Sequence, residues 1–129
     1  MKKPSELTNQ FIIDYKKWND FAYKLNKSKD KKSDSAIEKM YNDLILTYCR
    51  PDKKYQALAF GSHSDHCPEQ EQIVNEKIES SQAIVKTKFT NEKFDFITHN
   101  YEYHFILING KWILEELYLV DDDGKYKSL

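Results

Sequence analysis

Apolar residues recur at helical spacing near the start of the chain. They step by three or four positions from Leu7 through Trp18 to Leu25, with charged residues between them. A stripe of this period predicts a long amphipathic helix with one face in a core, and Pro4 marks its start. The run 26–35 then loses all periodicity, which predicts a polar connection.

A second apolar stripe runs from Ile37 to Tyr48 at the same spacing. Ser35 with Glu38 three positions later forms the pattern of a capping box, which predicts that the second helix starts there. Pro51 disfavours helical geometry at the residue before it, so we expect the helix to end just ahead of it. The short connection between the two helices favours side-by-side packing.

From about residue 71 onward, apolar and polar residues alternate, which is the period of a β-strand with one buried face. The segment 55–62 before this region is compatible with a helical turn or with a short strand. The alternation predicts strands over 72–80, 83–90, 96–108 and 111–120, turn regions at Ser81-Gln82 and 91–95, and a short fifth strand around Tyr126.

Asn109-Gly110 is the strongest hairpin signal in the chain, because a tight two-residue turn needs positive φ at both positions. Such a turn predicts these cross-strand pairs: Ile108 with Lys111, Leu107 with Trp112, Phe105 with Leu114, Tyr103 with Glu116, and Tyr101 with Tyr118. One face of the hairpin then carries a row of large side chains: Tyr101, Tyr103, Phe105, Leu107, Trp112, Leu114 and Tyr118. We expect that face to pack against the apolar stripes of the helices. At its open end, we expect a small pocket lined by Tyr101, Tyr118 and Glu116.

Helices followed by an antiparallel meander define an α+β fold, with the N-terminal helices packed on one face of a curved antiparallel sheet. The length of 129 residues is that of one domain, which we assign to residues 1–129. In the predicted register the opposite face of the sheet carries Ile106, Ile113 and Leu117, which offers a surface for self-association. We therefore expect a monomer or a homodimer.

Charge is unevenly distributed, although the formal net charge is −1. Residues 1–54 hold 13 lysine or arginine and 8 acidic residues, whereas residues 55–129 hold 7 and 13. An acidic sheet half can steer a basic partner, and the basic half has the pattern of ordinary helix surface rather than of a nucleic-acid binder. We therefore expect an acidic patch on the outside of the sheet and no nucleic-acid partner.

The sequence has no pattern typical of a secretory signal and no apolar run of the roughly 20 residues that span a bilayer. These observations predict a cytoplasmic protein without a membrane partner. In that reducing compartment, Cys49 and Cys67 are expected to be thiols rather than a disulfide.

Four potential metal ligands lie within five residues: His63, Asp65, His66 and Cys67. Their spacing is poor for zinc, because adjacent residues rarely point at one ion, so we interpret the segment as a polar loop without a metal. The acids at 121–123 are consecutive rather than alternating, which fits a turn at Gly124 better than a calcium loop.

No motif for a catalytic nucleophile or for a phosphate-binding loop is present. Four side chains are acid–base candidates by position alone, namely Asp95, His99, His104 and Glu116. His104 lies between apolar neighbours on a strand face, where a structural histidine is commoner than a catalytic one. We therefore predict no catalytic residue, no metal and no cofactor.

Several short segments in the second half of the chain form a recognisable series. They are Phe60-Gly61-Ser62, 66–69, Ile73, 83–85, Tyr103-His104-Phe105, 110–113 and 123–125, and they span about residues 55–127. In order and spacing they resemble the bacterial immunity proteins that have the nuclear transport factor 2-like fold and belong to polymorphic-toxin systems.

The resemblance implies a cone-shaped, cystatin-like roll of helices against a curved antiparallel sheet. It also implies a protein that binds its cognate toxin domain in the cytoplasm and neutralises it, and it assigns no catalytic residue. The same fold includes ketosteroid isomerase-like enzymes. A small-molecule-binding protein or enzyme that uses a pocket inside the cone is therefore the alternative.

An acidic sheet half also suggests where such a toxin would be held. Carboxylates that speed the encounter with a basic partner should be exposed on the sheet or at its turns. The predicted toxin contacts are Glu102, Glu115, Glu116, Asp121, Asp122 and Asp123.

Overall fold

A computed structural model of the protein describes residues 2–28, 31–56, 58–91 and 98–129. The strands form one antiparallel sheet in the order β1-β2-β3-β4-β5. Two helices followed by this meander confirm the predicted α+β class. The elements are α1 (Pro4–Asn26), α2 (Lys31–Tyr48), β1 (Glu71–Glu79), β2 (Gln82–Thr90), β3 (Thr98–Ile108), β4 (Lys111–Asp121) and β5 (Gly124–Lys127).

The predicted elements agree with these bounds except at a few ends. The first hairpin turns at Ser80, where φ is 55°, and Ser81 rather than at Ser81-Gln82, because Gln82 already pairs with Glu79. The segment 55–62, left open between helix and strand, contains neither in its described residues. Ala57 and 92–97 lie outside the described residues, and with them the predicted start of β3 at Phe96 and most of the 91–95 turn.

The start of α1 is fixed by two carboxylates. The backbone N–H of Lys3 donates to the Glu6 carboxylate at 3.2 Å, and Pro4 occupies the first helical turn. The N–H of Ser5 donates at 2.8 Å to Glu76 on β1, which joins the helix to the sheet. A carboxylate at this position also stabilises the positive end of the helix dipole.

Helix α2 starts at Lys31, so the predicted capping box at Ser35 is wrong. Ser35 lies one turn inside the helix and is exposed. The first turn holds no apolar residue, which is why hydrophobic periodicity could not detect it. Ser33 in that turn is buried, and its hydroxyl lies 2.9 Å from the hydroxyl of Ser28.

The core lies between the helices and the inner face of the sheet. Trp18 is buried, its indole N–H donates at 3.0 Å to the carbonyl of Ile37 on α2, and its ring lies 4.6 Å from that of Tyr41. Tyr103, Phe105 and other inward residues of the sheet are buried against this pair of helices, as expected from the aromatic row. Among the described residues, no helix is both long and apolar enough to cross a membrane.

The register of the β3–β4 hairpin follows the prediction only for its first half. The pairs from Ile108–Lys111 to Phe105–Leu114 are present, and Asn109 and Gly110 both have positive φ. Glu115 is then an extra residue in β4, so that the ladder shifts by one position. The predicted pairs Tyr103–Glu116 and Tyr101–Tyr118 are wrong; the observed partners are Leu117 for Tyr103 and Leu119 for Tyr101.

This β-bulge exchanges the faces of the second half of β4, because side chains alternate along a strand. Leu117, predicted on the outer face, is fully buried in the core. Tyr118, predicted in the inner row, lies on the outer face with its ring 4.8 Å from His104. The outer surface proposed for self-association therefore loses Leu117 and keeps only the half-buried Ile106 and Ile113.

The shifted register predicts unequal costs for two substitutions on β4. We expect Leu117→Ala to lower the free energy of unfolding by about 3 kcal/mol, because it opens a cavity in the core. The matched truncation Ile113→Ala, on the outer face, should cost about 1 kcal/mol. Urea denaturation of both variants measures the difference. The unshifted register, in which both residues lie on the outer face, would give similar small costs for the two variants.

Candidate functional site

A buried polar cluster lies beneath the loop that precedes β1. Nδ1 of His66 lies 2.7 Å from Oε1 of Glu71, and the Tyr103 hydroxyl donates to Oε2 of Glu71 at 2.6 Å. The Thr87 hydroxyl donates to the same Oε2. Because an ionised carboxylate only accepts hydrogen bonds, we assign a proton to Nδ1 of His66. Three donors from the loop, β2 and β3 therefore converge on one carboxylate of β1.

Aromatic rings enclose this cluster. The His66 ring centroid lies 4.7 Å from that of Tyr15, 5.8 Å from Phe11 and 4.5 Å from Tyr101. Segment 63–67 is a loop, as predicted, but His66 is only 1% exposed and lies in the core, which the sequence did not indicate. One signal in the sequence could have revealed the cluster. The alternation of β1 places Glu71 on the same inward face as Ile73, and a buried acid requires a partner.

The environment of Glu71 stabilises its ionised form. Burial by itself raises the pKa of Glu71, but the neighbouring His66 and the hydrogen bonds from His66, Thr87 and Tyr103 more than offset burial. The pKa of Glu71 therefore lies below its ordinary value of 4.5. The pKa of the Tyr103 hydroxyl is raised well above its usual range. Burial is the largest cause, and the negative charge of Glu71 is the next.

The polar groups of the cluster are partnered within the protein. Among the described residues, every buried side-chain nitrogen and oxygen has a hydrogen-bond partner. A general base must reach a substrate proton, and the oxygens of Glu71 are already occupied by protein donors. The cluster therefore links the loop, three strands and, through ring contacts, helix α1.

A cavity of about 200 Å³ opens beside this cluster. Tyr101 stands between the cavity and His66, which its ring contacts. The volume is below the roughly 300–1,000 Å³ of typical small-molecule pockets. The pocket predicted at the open end of the hairpin is only partly correct. Tyr101 lines the cavity, whereas Tyr118 and Glu116 belong to the outer side of the sheet. The lining residues are His63, Ser64, Asp65, Gln70, Phe89, Asn91, His99 and Tyr101.

The potential ligands of the 63–67 segment are separated by the fold. His63 and Asp65 line the cavity, whereas His66 points into the core and the Cys67 thiol donates to Glu69 at 2.8 Å. In the described part of the chain, no group of three or more His, Cys, Asp or Glu side chains is arranged to hold a metal. The other acid–base candidates are also dispersed: His99 is at the cavity, His104 is on the outer face, and Asp95 is outside the described residues.

Both cysteines are free thiols, as expected. Burial raises the pKa of the Cys49 thiol to about 12; Lys53 lowers this pKa by a smaller amount, and Glu116 raises it further. Burial and the hydrogen bond to Glu69 also raise the pKa of Cys67. Neither environment favours the thiolate, so neither thiol is activated as a nucleophile.

Two of the six acids predicted to contact a toxin are buried. Glu102 is 7% exposed, and its Oε1 accepts hydrogen bonds from Lys125 at 2.8 Å and from His104 at 2.9 Å. Burial raises the pKa of Glu102, but Lys125 and His104 together outweigh burial and lower it. The expectation that this carboxylate is exposed was wrong; it holds a lysine and a histidine in place.

Glu116 is the second buried acid, also 7% exposed. Its Oε2 lies 2.6 Å from the ammonium of Lys53, which follows α2, and 3.9 Å from that of Lys127 on β5. The pair with Lys53 is largely shielded from solvent and connects the end of the helical half to β4. The expected exposure of Glu116 was therefore wrong as well.

The other four predicted contacts are exposed. Glu115 projects from the bulge, and Asp121, Asp122 and Asp123 form the turn between β4 and β5, which we call the acidic tip. Oδ1 of Asp121 accepts the N–H groups of Asp123 and Gly124 at 2.8 and 3.1 Å. Gly124 has a φ of 147°, which a residue with a side chain rarely adopts, so the turn is specified by both residues.

The outer face of the sheet is basic rather than acidic in the described residues. Glu71 and Glu76 of the acidic half point toward the helices, and the three tip aspartates lie at a sheet end. Away from the Asn109-Gly110 turn, strand alternation places five exposed lysines on the side away from the helices. They are Lys77, Lys86, Lys88, Lys125 and Lys127.

The buried cluster predicts a large loss of stability for Glu71→Gln. A glutamine offers one acceptor oxygen in place of two, so at least one of three buried donors loses its partner. We expect the free energy of unfolding at pH 7 to fall by about 3 kcal/mol. The control is Glu79→Gln on the same strand, where the carboxylate is exposed and its removal should cost less than about 0.5 kcal/mol. Equal stability of the two variants in urea denaturation would contradict this role.

The lowered pKa of Glu71 also predicts a pH dependence. A carboxyl whose pKa is lower in the folded state contributes stability in full above its unfolded value of 4.5. That contribution is lost as the pH falls through the lowered folded value. Urea denaturation from pH 7 to pH 3 should therefore show a smaller acid-induced loss for Glu71→Gln than for the wild type. Parallel curves would contradict the assignment.

Comparison with known proteins identifies the family of this chain. A family model described as NTF2 fold immunity protein, named for the nuclear transport factor 2 fold, matches residues 3–128. Comparison with curated proteins and with solved structures found no significant match. The match includes the helical half, where only the periodicity of the sequence had suggested a resemblance to this family. The observed order of two helices followed by a five-stranded antiparallel sheet agrees with the match. The chain therefore belongs to the family of NTF2 fold immunity proteins.

Proposed function

We propose that this protein binds the toxin domain of a polymorphic-toxin system in the cytoplasm and neutralises it by forming a stoichiometric complex. The single observation that supports the proposal is the match to the immunity family over residues 3–128. The proposal is one of binding rather than catalysis. It requires a rigid protein surface and no reacting group.

The interior of the protein supports a binder over a ketosteroid isomerase-like enzyme. The rings of Phe11, Tyr15 and Tyr103 pack against each other or against His66 and fill the core around Glu71. Glu71 is buried there, but its two oxygens already accept hydrogen bonds from three protein donors. A pocket enzyme needs the opposite arrangement, with an accessible acid or base in an apolar cavity.

We retain the exposed acids as proposed contacts with a basic region of the toxin. They are Glu115 and the acidic tip, Asp121 to Asp123, which is held in a defined conformation by hydrogen bonds of its own backbone. A preorganised anionic turn can dock with little loss of conformational freedom. Glu102 and Glu116 were predicted as direct contacts from the sequence, but we no longer propose them as such. Glu102 pairs with Lys125, and Glu116 lies close to Lys53 and Lys127.

The proposal predicts a complex with a neighbouring gene product. The probe is the C-terminal domain of a large secreted protein encoded immediately upstream, produced together with this chain. We expect the two to purify as an equimolar complex in light scattering, and cells that make both to grow normally. A toxin domain from an unrelated system serves as the control. Growth rescue without a complex would favour the enzymatic alternative, and absence of both would remove the proposal.

The acidic tip predicts a specific loss of affinity. In Asp121→Asn/Asp122→Asn/Asp123→Asn, an amide oxygen still accepts the turn hydrogen bonds while three negative charges are removed. We expect about a tenfold slower association with the toxin domain, measured by surface plasmon resonance. The matched control removes three exposed charges from α2 by Asp34→Asn/Glu38→Gln/Asp43→Asn. Equal rates for the two triple variants would exclude the tip from the contact.

A further inference from the structure

The outer face of the sheet carries two parallel rows of side chains that run across β2, β3, β4 and β5. Both rows begin and end with a lysine, and neighbouring members of a row are register partners. We call the four terminal lysines, Lys86, Lys88, Lys125 and Lys127, the lysine face. The first row is Lys86, Glu102, Tyr118 and Lys127, and the second is Lys88, Asn100, Val120 and Lys125.

The strand register gives the lysine face definite dimensions. Three strand spacings separate β2 from β5, which is about 14 Å, and two residues along a strand add about 7 Å. All four lysines are exposed, and the residues between them are exposed or partly buried except Glu102, which is buried. No other described element lies over this side of the sheet, since both helices pack on the inner face.

Buried acids hold two corners of the lysine face. The ammonium of Lys125 lies 2.8 Å from Glu102, which joins the second row diagonally to the first. The ammonium of Lys127 lies 3.9 Å from Glu116. Because both carboxylates are only 7% exposed, a partner meets the ammonium groups rather than the acids beneath them. Exposed acids near this side, Glu79 and Glu115, line a separate hollow toward the β1–β2 turn.

The geometry points to the lysine face as the docking surface for a carboxylate-rich patch on the toxin. This inference rests on the proposed function and deepens it by naming the larger contact surface and the chemistry of its partner. Ammonium groups at fixed positions recognise carboxylates on a facing surface, and partly buried Tyr118 between them adds contact area with little loss of side-chain freedom. The toxin would then contact the lysine face with acids and the adjacent acidic tip with basic groups.

Two other occupants fit the lysine face less well. Phosphate recognition favours arginine, whereas Arg50 is the sole arginine of the sequence and follows α2. The acidic tip beside Lys125 would also repel a nucleic-acid backbone. A second copy docked about a twofold axis would place lysines against lysines, which electrostatic repulsion disfavours.

The test reverses two charges on β2. Lys86→Glu/Lys88→Glu is compared with Lys17→Glu/Lys24→Glu, which makes the same charge change at exposed positions of α1. The probe is the upstream-encoded toxin domain, and its association and dissociation rates are measured at two salt concentrations. We expect the affinity of the β2 variant to fall at least about tenfold, mainly through slower association, while the α1 variant stays within about twofold of wild type.

A second variant separates docking from folding. Lys86 lies opposite Glu102, so its reversal to glutamate places like charges across two strands. Lys86→Gln/Lys88→Gln avoids that repulsion and keeps the side-chain length. We expect it to melt at the wild-type temperature and still lose about threefold or more in affinity. A loss of affinity only in variants that melt early would overturn the inference.

The remaining outcomes separate this inference from the proposed function. Toxin binding by wild type that is equally strong in both β2 variants would overturn the lysine face and leave the proposed function intact. No toxin binding by wild type would remove both. If a single-stranded oligonucleotide binds the wild type and not the β2 variants, the lysine face would instead be a nucleic-acid-binding surface, which would overturn the inference. A concentration-dependent dimer in light scattering that the β2 variants abolish would likewise reassign the lysine face to a second copy.

Discussion

The extra residue in β4 determines what both faces of the sheet present. With Glu115 set aside as a bulge, Leu117 enters the core opposite Tyr103, and Tyr118 turns outward beside His104. In β5, Lys125 and Lys127 pair with the outward-facing Val120 and Tyr118 of β4, so both lysines also lie on the outer side. Without the bulge, the same sequence would turn Tyr118 and two lysines toward the helices and would turn two leucines, Leu117 and Leu119, outward.

The buried carboxylate of Glu71 explains how the part of the core around it is packed. An acid on the inner face of β1 is tolerated only if donors reach it, and His66, Thr87 and Tyr103 do so from three other segments. Those donors bring their rings and the preceding loop into the centre, where Phe11 and Tyr15 complete the packing. The arrangement that satisfies one charge thereby also fills the space around it with aromatic side chains.

Much of the fold could be predicted from the sequence because periodicity reports which face of an element is buried. The helices, the four main strands and the Asn109-Gly110 turn follow from it directly. The bulge could not be predicted, since neither Gly nor Pro marks Glu115 and the alternation "ILEELYL" fits both registers. The polar first turn of α2 and the burial of His66 were missed for a related reason. Polar residues satisfied by partners distant in sequence leave no local pattern.

The charge of a segment also proved a poor guide to the charge of a surface. The second half of the chain is acidic by composition, yet its outer face presents lysines, because several acids turn inward or lie beneath the lysines they neutralise. The buried carboxylate of Glu102 affects the surface by fixing the position of Lys125, not by contacting a partner itself. Recognition by this protein therefore depends on where β4 places its side chains, since the same acids and lysines in an unshifted register would present a different pattern to any partner.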